Sequence, residues 1–217
     1  MSKPILIIGA GGFGREVFWL ISEINSCNHE WDILGFLDDN KNALDNFKNY
    51  PEIIGTINDY REINHKYADS VFLINVIGDP AIRKKTVFSL NNAGAKWATL
   101  IHPTASIGTN STIKEGSILT RNSIVTCDAK IGCHVHINIF SSCDHDTTIG
   151  DFCTISPKVD IQGGAQVGEG VFLGGNAVVL PKARLGDWSR VGALSLVLRN
   201  VKPKTTVFGV PAKDIMK

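Results

Sequence analysis

From Ile101 to Lys202 the chain can be written in sixes without one insertion: IHPTAS, IGTNST, IKEGSI and onward to VGALSL and VLRNVK, seventeen hexads in all. The first position is Ile, Leu or Val in sixteen of them, the exception being Cys143, and the fifth is always Ala, Ser, Thr, Cys or Val. Chance does not sustain such a rhythm, and a fixed internal period marks a chain that stacks copies of one small unit. The physical reading is a coil with three short, flat strands per turn, each hexad making one face and one corner. Position one points inward, and a small residue at position five lets the chain turn without crowding the core. Eighteen residues make a coil, so residues 18 apart lie above one another, and each coil pairs its backbone with the coils on either side. A charged group at position one or five would sit unpaired in a dry interior, and only small hydroxyls and thiols occur there.

The first hundred residues follow another pattern. "PILIIGA" reads as a buried strand, Gly12 to about Asn25 as a helix with apolar Val17, Leu20, Ile21 and Ile24, and "DILGFLDD" as a second strand. After a polar loop comes a short helix around "INDYREINHKY". Then "SVFLINVIG" gives a third strand, "DPAIRKKTVFSLNNAG" a helix with Pro80 in its first turn, and "KWATLI" a fourth strand. Strands alternating with helices predict a parallel sheet. The predicted architecture is an α/β half-Rossmann domain over residues 1–100 followed by an all-β parallel β-helix over 101–217.

Composition bounds the rest. At 217 residues, 43% hydrophobic and 20% charged, the chain is an ordinary globular protein. The absence of an apolar stretch near 18 residues, and of a leader-like start, predicts a cytoplasmic protein with no membrane span. Five cysteines without C-x-x-C pairing suggest reduced thiols rather than a disulfide framework or a zinc site. A net charge of +1 argues against a nucleic-acid partner, yet residues 155–217 hold nine Lys/Arg against four Asp/Glu. That third could hold a small polyanion, although charge alone singles out no particular cation and solvated surface lysines explain it equally.

His145, in "CDHDTTIGD", is third in its hexad and therefore faces outward. Histidine titrates in the range useful for removing a proton as a nucleophile attacks, and a neighbouring carboxylate, Asp146 or Asp144, would fix its tautomer. Strict strand geometry sends adjacent side chains to opposite faces, so such a pair requires the corner after Asp144 to turn them. His134 and His136 read as exposed or interface side chains; as metal ligands they lack a third partner, and no metal is expected. At the other end, "GAGGFG" places Gly9, Gly11 and Gly14 as G-x-G-x-x-G between a strand and a helix, with Asp38 and Asp39 closing the second strand. Taken alone this says NAD. Only four strands precede Ile101, too few for a full dinucleotide fold.

These features together resemble the left-handed β-helix hexapeptide-repeat acyltransferases. The closer similarity is to the branch with an N-terminal Rossmann-like domain, the sugar acetyltransferases of bacillosamine, perosamine and sialic acid pathways, and it extends to the tail "VFGVPAKDIMK". The resemblance implies a left-handed coil, acetyl-CoA as acyl donor, a homotrimer with its sites between adjacent copies, and a nucleotide-linked amino sugar as acceptor. It implies His145 as general base in an H-[DE] pair before "IGD", Asp146 as its orienting partner and Asn138 as an active-site asparagine. It further implies that the pantetheine arm of coenzyme A meets backbone at Gly163 and Ala193. The nucleotide would lie near Gly9, Gly11, Gly12, Phe13, Gly14, Asp38 and Asp39.

Two departures stand out. Many relatives carry histidine where this chain has Thr154, nine residues after the base, and some carry histidine at the Phe13 position. The predicted activity is N-acetylation of a UDP- or dTDP-amino-dideoxy sugar in surface-glycan synthesis, His145 assisting direct attack with no covalent intermediate. Sialic acid O-acetylation is the alternative. An NAD-dependent oxidoreductase and a non-catalytic β-helical module are more remote.

Overall fold

The computed structural model describes residues 2–215; Met1, Met216 and Lys217, at the extremes of the leading and trailing segments read above, lie outside them. The chain divides into two compact units, one running up to Gly78 and resuming over Ile82–Thr99, the other made of Asp79–Ala81 with the chain from Leu100 on.

The first unit is a parallel five-stranded sheet with helices between its strands. Its strands are β1 (Lys3–Ile8), β2 (Trp31–Leu37), β3 (Ile53–Gly55), β4 (Phe72–Asn75) and β5 (Lys96–Trp97), in the order β3-β2-β1-β4-β5. The helices are α1 (Gly12–Asn28), α2 (Tyr60–Lys66) and α3 (Pro80–Asn91). Ile5 to Ile8 of β1 are fully buried, as befits a central strand covered on both faces, and α1 buries the predicted stripe Val17, Leu20, Ile21 and Ile24. Gly14 lets α1 approach the sheet closely: a β-carbon there would strike the Gly9 carbonyl.

Two expectations are corrected here. The sheet has five strands rather than four, because β3 is only three residues long and carries no readable alternation. The segment "KWATLI" is not one strand: Lys96–Trp97 completes this sheet, whereas Leu100–Ile101 opens the second unit.

The second unit is a parallel β-helix. Two-residue strands recur every six residues and pair in register with those 18 residues on, as His136 with Thr154, Ser142 with Asp160 and Thr148 with Gln166, until the last coil, where Leu185 meets Val201 and Arg190 meets Thr206 only 16 residues on, so the seventeenth hexad does not keep the expected rhythm. They form three faces. The first has eight strands, beginning at Leu100–Ile101 and ending in the antiparallel Lys213–Asp214; the second has six, from Ser106–Ile107 to Leu196–Val197; the third has five, from Thr112–Ile113 to Arg184–Leu185. First-position side chains from Leu119 to Val197 are all buried, Cys143 among them, and fifth-position side chains are buried from Ser117 to Val201. The inward assignment of both positions agrees with this.

The corner itself lies elsewhere than expected. The turn falls at positions three and four of each hexad, and in fifteen consecutive hexads, Asn110 to Leu194, position four is left-handed. Eight of these are Gly, Asn or Asp, which tolerate that conformation. The other seven, Trp188 and Leu194 among them, are held there by the coils on either side.

Candidate active site

His145 and Asp146 occupy positions three and four of their hexad and are therefore the corner between the second and third faces. The turn resolves the objection that neighbours on a strand diverge: with Asp146 at φ +61°, His145 Nδ1 lies 2.8 Å from Asp146 Oδ2. A carboxylate accepts, so Nδ1 carries the proton, and in the neutral imidazole the lone pair is therefore on Nε2. Both side chains are exposed, at 62% and 66%, which leaves Nε2 accessible. The imidazole is thus at an edge of the prism rather than on a flat face.

Asp144, the other candidate orienter, points onto the second face instead, beside Asp160. Partial burial, and then the Asp160 carboxylate, push its pKa up, while His145 pulls it down. Asp160 itself accepts hydrogen bonds from Ser142 Oγ at 2.7 Å and Gln162 Nε2 at 2.9 Å.

One coil above His145 lies Gly163. A β-carbon there would stand 2.6 Å from both Cε1 and Nε2 of the imidazole, closer than such atoms approach, so the ring rests directly over the bare glycine. The adjoining Gly164 is left-handed at φ +70° and donates its N–H to the His145 carbonyl at 2.8 Å.

The remaining predicted residues are placed apart from this corner. Asn138 precedes the turn between the first and second faces and donates from Nδ2 to the Ile155 carbonyl at 2.8 Å. Ala193 is at the same edge of the prism, three coils on, and exposed. Thr154 lies in a first-face strand, 6% exposed, its N–H bonded to the Val171 carbonyl at 2.9 Å, and presents little surface to any ligand. Within one chain, then, Gly163 joins His145 and Asp146, while Asn138 and Ala193 belong to another edge. The expectation of exposed histidines at 134 and 136 is also corrected. His134 and His136 are 3% and 1% exposed, and His134 stacks on Phe152 with ring centroids 5.2 Å apart. Among the described residues no three His, Cys, Asp or Glu side chains gather as a metal site would need.

In the α/β unit a cavity of about 520 Å³ is lined by Gly9, Asp38, Asp39, Ile57, Ile82 and Lys85, among others. Asp38 is already engaged: its carboxylate accepts from the N–H of Ala10 at 2.7 Å and of Asn40 at 2.8 Å. Asp39 is exposed and, among the described residues, accepts a single long contact, from the Ile57 N–H at 3.4 Å. Gly11 has nothing within 4 Å of where a β-carbon would be, and Gly12 only the end of the Arg15 side chain at 4.0 Å, so packing does not explain them, whereas it explains Gly14. Gly11, Gly12, Phe13 and Gly14 do not line this cavity. Lys85 was not singled out from sequence: on α3 it reads as one more exposed lysine until the fold sets it on the cavity that Asp39 also lines.

Residues 4–90 match the family described as the PglD N-terminal domain. A curated relative, the GDP-perosamine N-acetyltransferase of Escherichia coli O157:H7, is 27% identical over 176 residues, spanning 80% of this chain and 76% of its own. Among solved structures, the acetyltransferase domain of PglB from Neisseria gonorrhoeae in complex with acetyl coenzyme A superposes with a TM-score of 0.88 at 25% identity, over 99% of this chain and 100% of that one. PerB from Caulobacter crescentus, in complex with CoA and GDP-perosamine, gives 0.87 at 26% identity, over 99% and 98%. These likenesses bear out the fold read from sequence, an α/β parallel-sheet domain followed by a left-handed parallel β-helix.

Proposed function

We propose that this chain, an acyltransferase of the hexapeptide-repeat type, transfers the acetyl group of acetyl-CoA to the amine of a nucleotide-linked amino sugar. The single observation that carries the reading is the His145–Asp146 pair at an exposed corner above Gly163. The complexes of PglB with acetyl coenzyme A and of PerB with CoA and GDP-perosamine support the same substrates here. The nucleotide is assigned to the α/β unit, where the cavity bordered by Gly9, Asp38 and Asp39 offers carboxylate and backbone groups. The Escherichia coli GDP-perosamine N-acetyltransferase and PerB are described with a GDP-linked sugar, so a guanine nucleotide stands beside the UDP and dTDP sugars expected from sequence.

Asp146 holds the Nδ1–H tautomer. The neutral amine adds to the thioester carbonyl, Nε2 takes the proton that the nitrogen loses, and the tetrahedral adduct collapses by breaking the carbon–sulfur bond. The thiolate leaves with a proton, and the amide remains on the sugar. No acyl-enzyme forms, and general-base assistance of this kind contributes about 10²- to 10⁴-fold.

The split of the predicted set between two edges of one prism supports a homotrimer. His145, Asp146 and Gly163 of one copy would complete a site with Asn138 and Ala193 of the next. Exposed Ile139, Phe140 and Leu194 on the edge between the first and second faces, and Ile124 and Leu198 on the second face, supply apolar surface for that contact. The test is His145→Ala assayed by thiol release from acetyl-CoA across UDP-, dTDP- and GDP-linked amino sugars. Turnover should fall at least about 100-fold with the melting profile unaltered, and a variant retaining near-normal rate excludes this mechanism.

A further inference from the structure

The edge that carries His145 runs in register through the coils below it. The Asp146 N–H bonds the Cys127 carbonyl at 3.2 Å and the Asp128 N–H the Thr109 carbonyl at 3.0 Å, so the fourth positions of three successive coils, Asn110, Asp128 and Asp146, form one column. Neighbouring coils are about 4.8 Å apart. All three residues are exposed and left-handed, at φ +61°, +58° and +61°. Asn110 donates from Nδ2 to Asp128 Oδ1 at 3.2 Å, which ties that carboxylate to the edge. Two carboxylates thus stand in consecutive coils, and among the described residues neither pairs with a lysine or arginine.

Turn geometry does not account for the second charge. Asparagine holds the same left-handed position at Asn110, Asn122 and Asn176 without one, and on no edge of the prism does another pair of like charges occupy this position in successive coils. Stacked like charges repel, so Asp128 works against the stability of the one corner that carries the imidazole. The repulsion has a direction. It drives the Asp146 carboxylate away from Asp128 and toward the Nδ1–H of His145, 2.8 Å away. The same negative field favours the imidazolium that forms when Nε2 accepts a proton.

The titratable and charged groups around the ring can be named coil by coil. Its own coil holds Asp144 and Asp146, with Asp160 beyond Asp144 on the second face; the coil below holds Cys127 and Asp128, with Lys130 opening the third-face strand. The coil above brings only Gly163 and Gly164 to this edge, and Lys182 lies two coils on. Of the four acids, Asp128 alone neither bonds the ring nor belongs to the second face.

We infer that Asp128 is a positioning residue for the His145–Asp146 pair: its like charge, held one coil below by Asn110, presses the Asp146 carboxylate onto Nδ1 and strengthens the imidazole as a base. This rests on the acyl-transfer reading of the same corner and adds to it a residue that acts through Asp146 without touching a substrate.

The experiment uses Asp128→Asn, which keeps an acceptor for Asn110 and a residue at ease in the left-handed turn, so the melting temperature should stay level or rise. Since kcat/KM for the amino sugar depends on the free base, its acid limb at low salt should move about 0.5 pH unit to lower pH, the displacement expected of a unit charge about 7 Å away in a mostly aqueous dielectric. The kcat plateau should fall about 3- to 10-fold with both KM values unchanged. Asp128→Glu, which restores the charge, should return the limb to its wild-type place. Added salt should move the wild-type limb to lower pH and the Asp128→Asn limb by less. An unmoved limb with normal kcat in Asp128→Asn, or a loss confined to KM, overturns the assignment. An NMR titration of the His145 ring, identified by its absence in His145→Ala, reads the same displacement with no substrate present. If the chain turned over no amino sugar, the transferase reading would fail, and this titration would still decide the role of Asp128.

Discussion

At the scale of single residues the decisive contact is between an imidazole and the absence of a side chain. His145 can hold Asp146 at 2.8 Å because Gly163 leaves its ring a place to lie. Gly163→Ala would put a methyl group 2.6 Å from Nε2 and Cε1, and since that contact is intolerable the ring must swing off its position. Displacement of a catalytic group by about 1 Å costs on the order of 100-fold. The expected outcome is a kcat reduced about 10- to 100-fold in steady-state kinetics, with far-ultraviolet circular dichroism unchanged. A normal kcat would show that the ring's resting place does not matter. His145 itself was legible in the sequence because an outward histidine between two aspartates interrupts an otherwise regular strand pattern. Which aspartate serves it was not, since that depends on where the corner falls. The seat at Gly163 was visible only as an 18-residue spacing, because its meaning lies in the direction of a ring.

At the scale of the element, the hexad explains why serine is welcome inside an apolar prism. Buried Ser141 accepts from the Val159 N–H at 3.1 Å and donates to the Ser156 carbonyl at 2.8 Å; Ser117 does the same with the Val135 N–H at 3.1 Å and the Gly132 carbonyl at 2.9 Å. Each hydroxyl thus bridges its own turn to the next coil and satisfies two backbone groups that the strand ladder leaves over. Ser141→Ala removes both bonds and leaves a buried N–H and C=O unpaired, which costs about 1–3 kcal/mol. Denaturant unfolding should report that loss, although alanine is common at the same position elsewhere in the repeat. From sequence the fifth position read only as small, because the six-residue rhythm records size and not the hydrogen bonds a hydroxyl makes. The left-handed fourth position was missed for a related reason: Lys158, Trp188 and Leu194 carry no local preference for it, and it is the stacking of coils that imposes it. β3 escaped notice because three residues are too few to show a period.

At the scale of the molecule, two units with separate cores imply that the two substrates can be weakened independently. The α/β unit offers a pair of adjacent aspartates that sequence treats as equivalent, and the fold does not. Asp38 spends both carboxylate oxygens on the backbone at Ala10 and Asn40, so it braces the loop that follows β1. Asp39 is exposed on the cavity bordered by Lys85 and Ile57, with most of its acceptor capacity unused. If the nucleotide of the sugar donates hydrogen bonds there, Asp39 is the residue that receives them, and a hydrogen bond to a charged group is worth about 1.5–3 kcal/mol. Asp39→Ala should therefore raise KM for the nucleotide sugar by about tenfold or more. KM for acetyl-CoA and the melting temperature should stay at their wild-type values, because neither the β-helix nor the loop backbone depends on it. Asp38→Ala should instead lower the melting temperature, since two N–H groups lose their acceptor. Steady-state kinetics with each substrate varied in turn separates these outcomes. If Asp39→Ala weakened both substrates alike, or neither, the assignment of the nucleotide to this cavity would fail, while the chemistry assigned to His145 would stand on its own test.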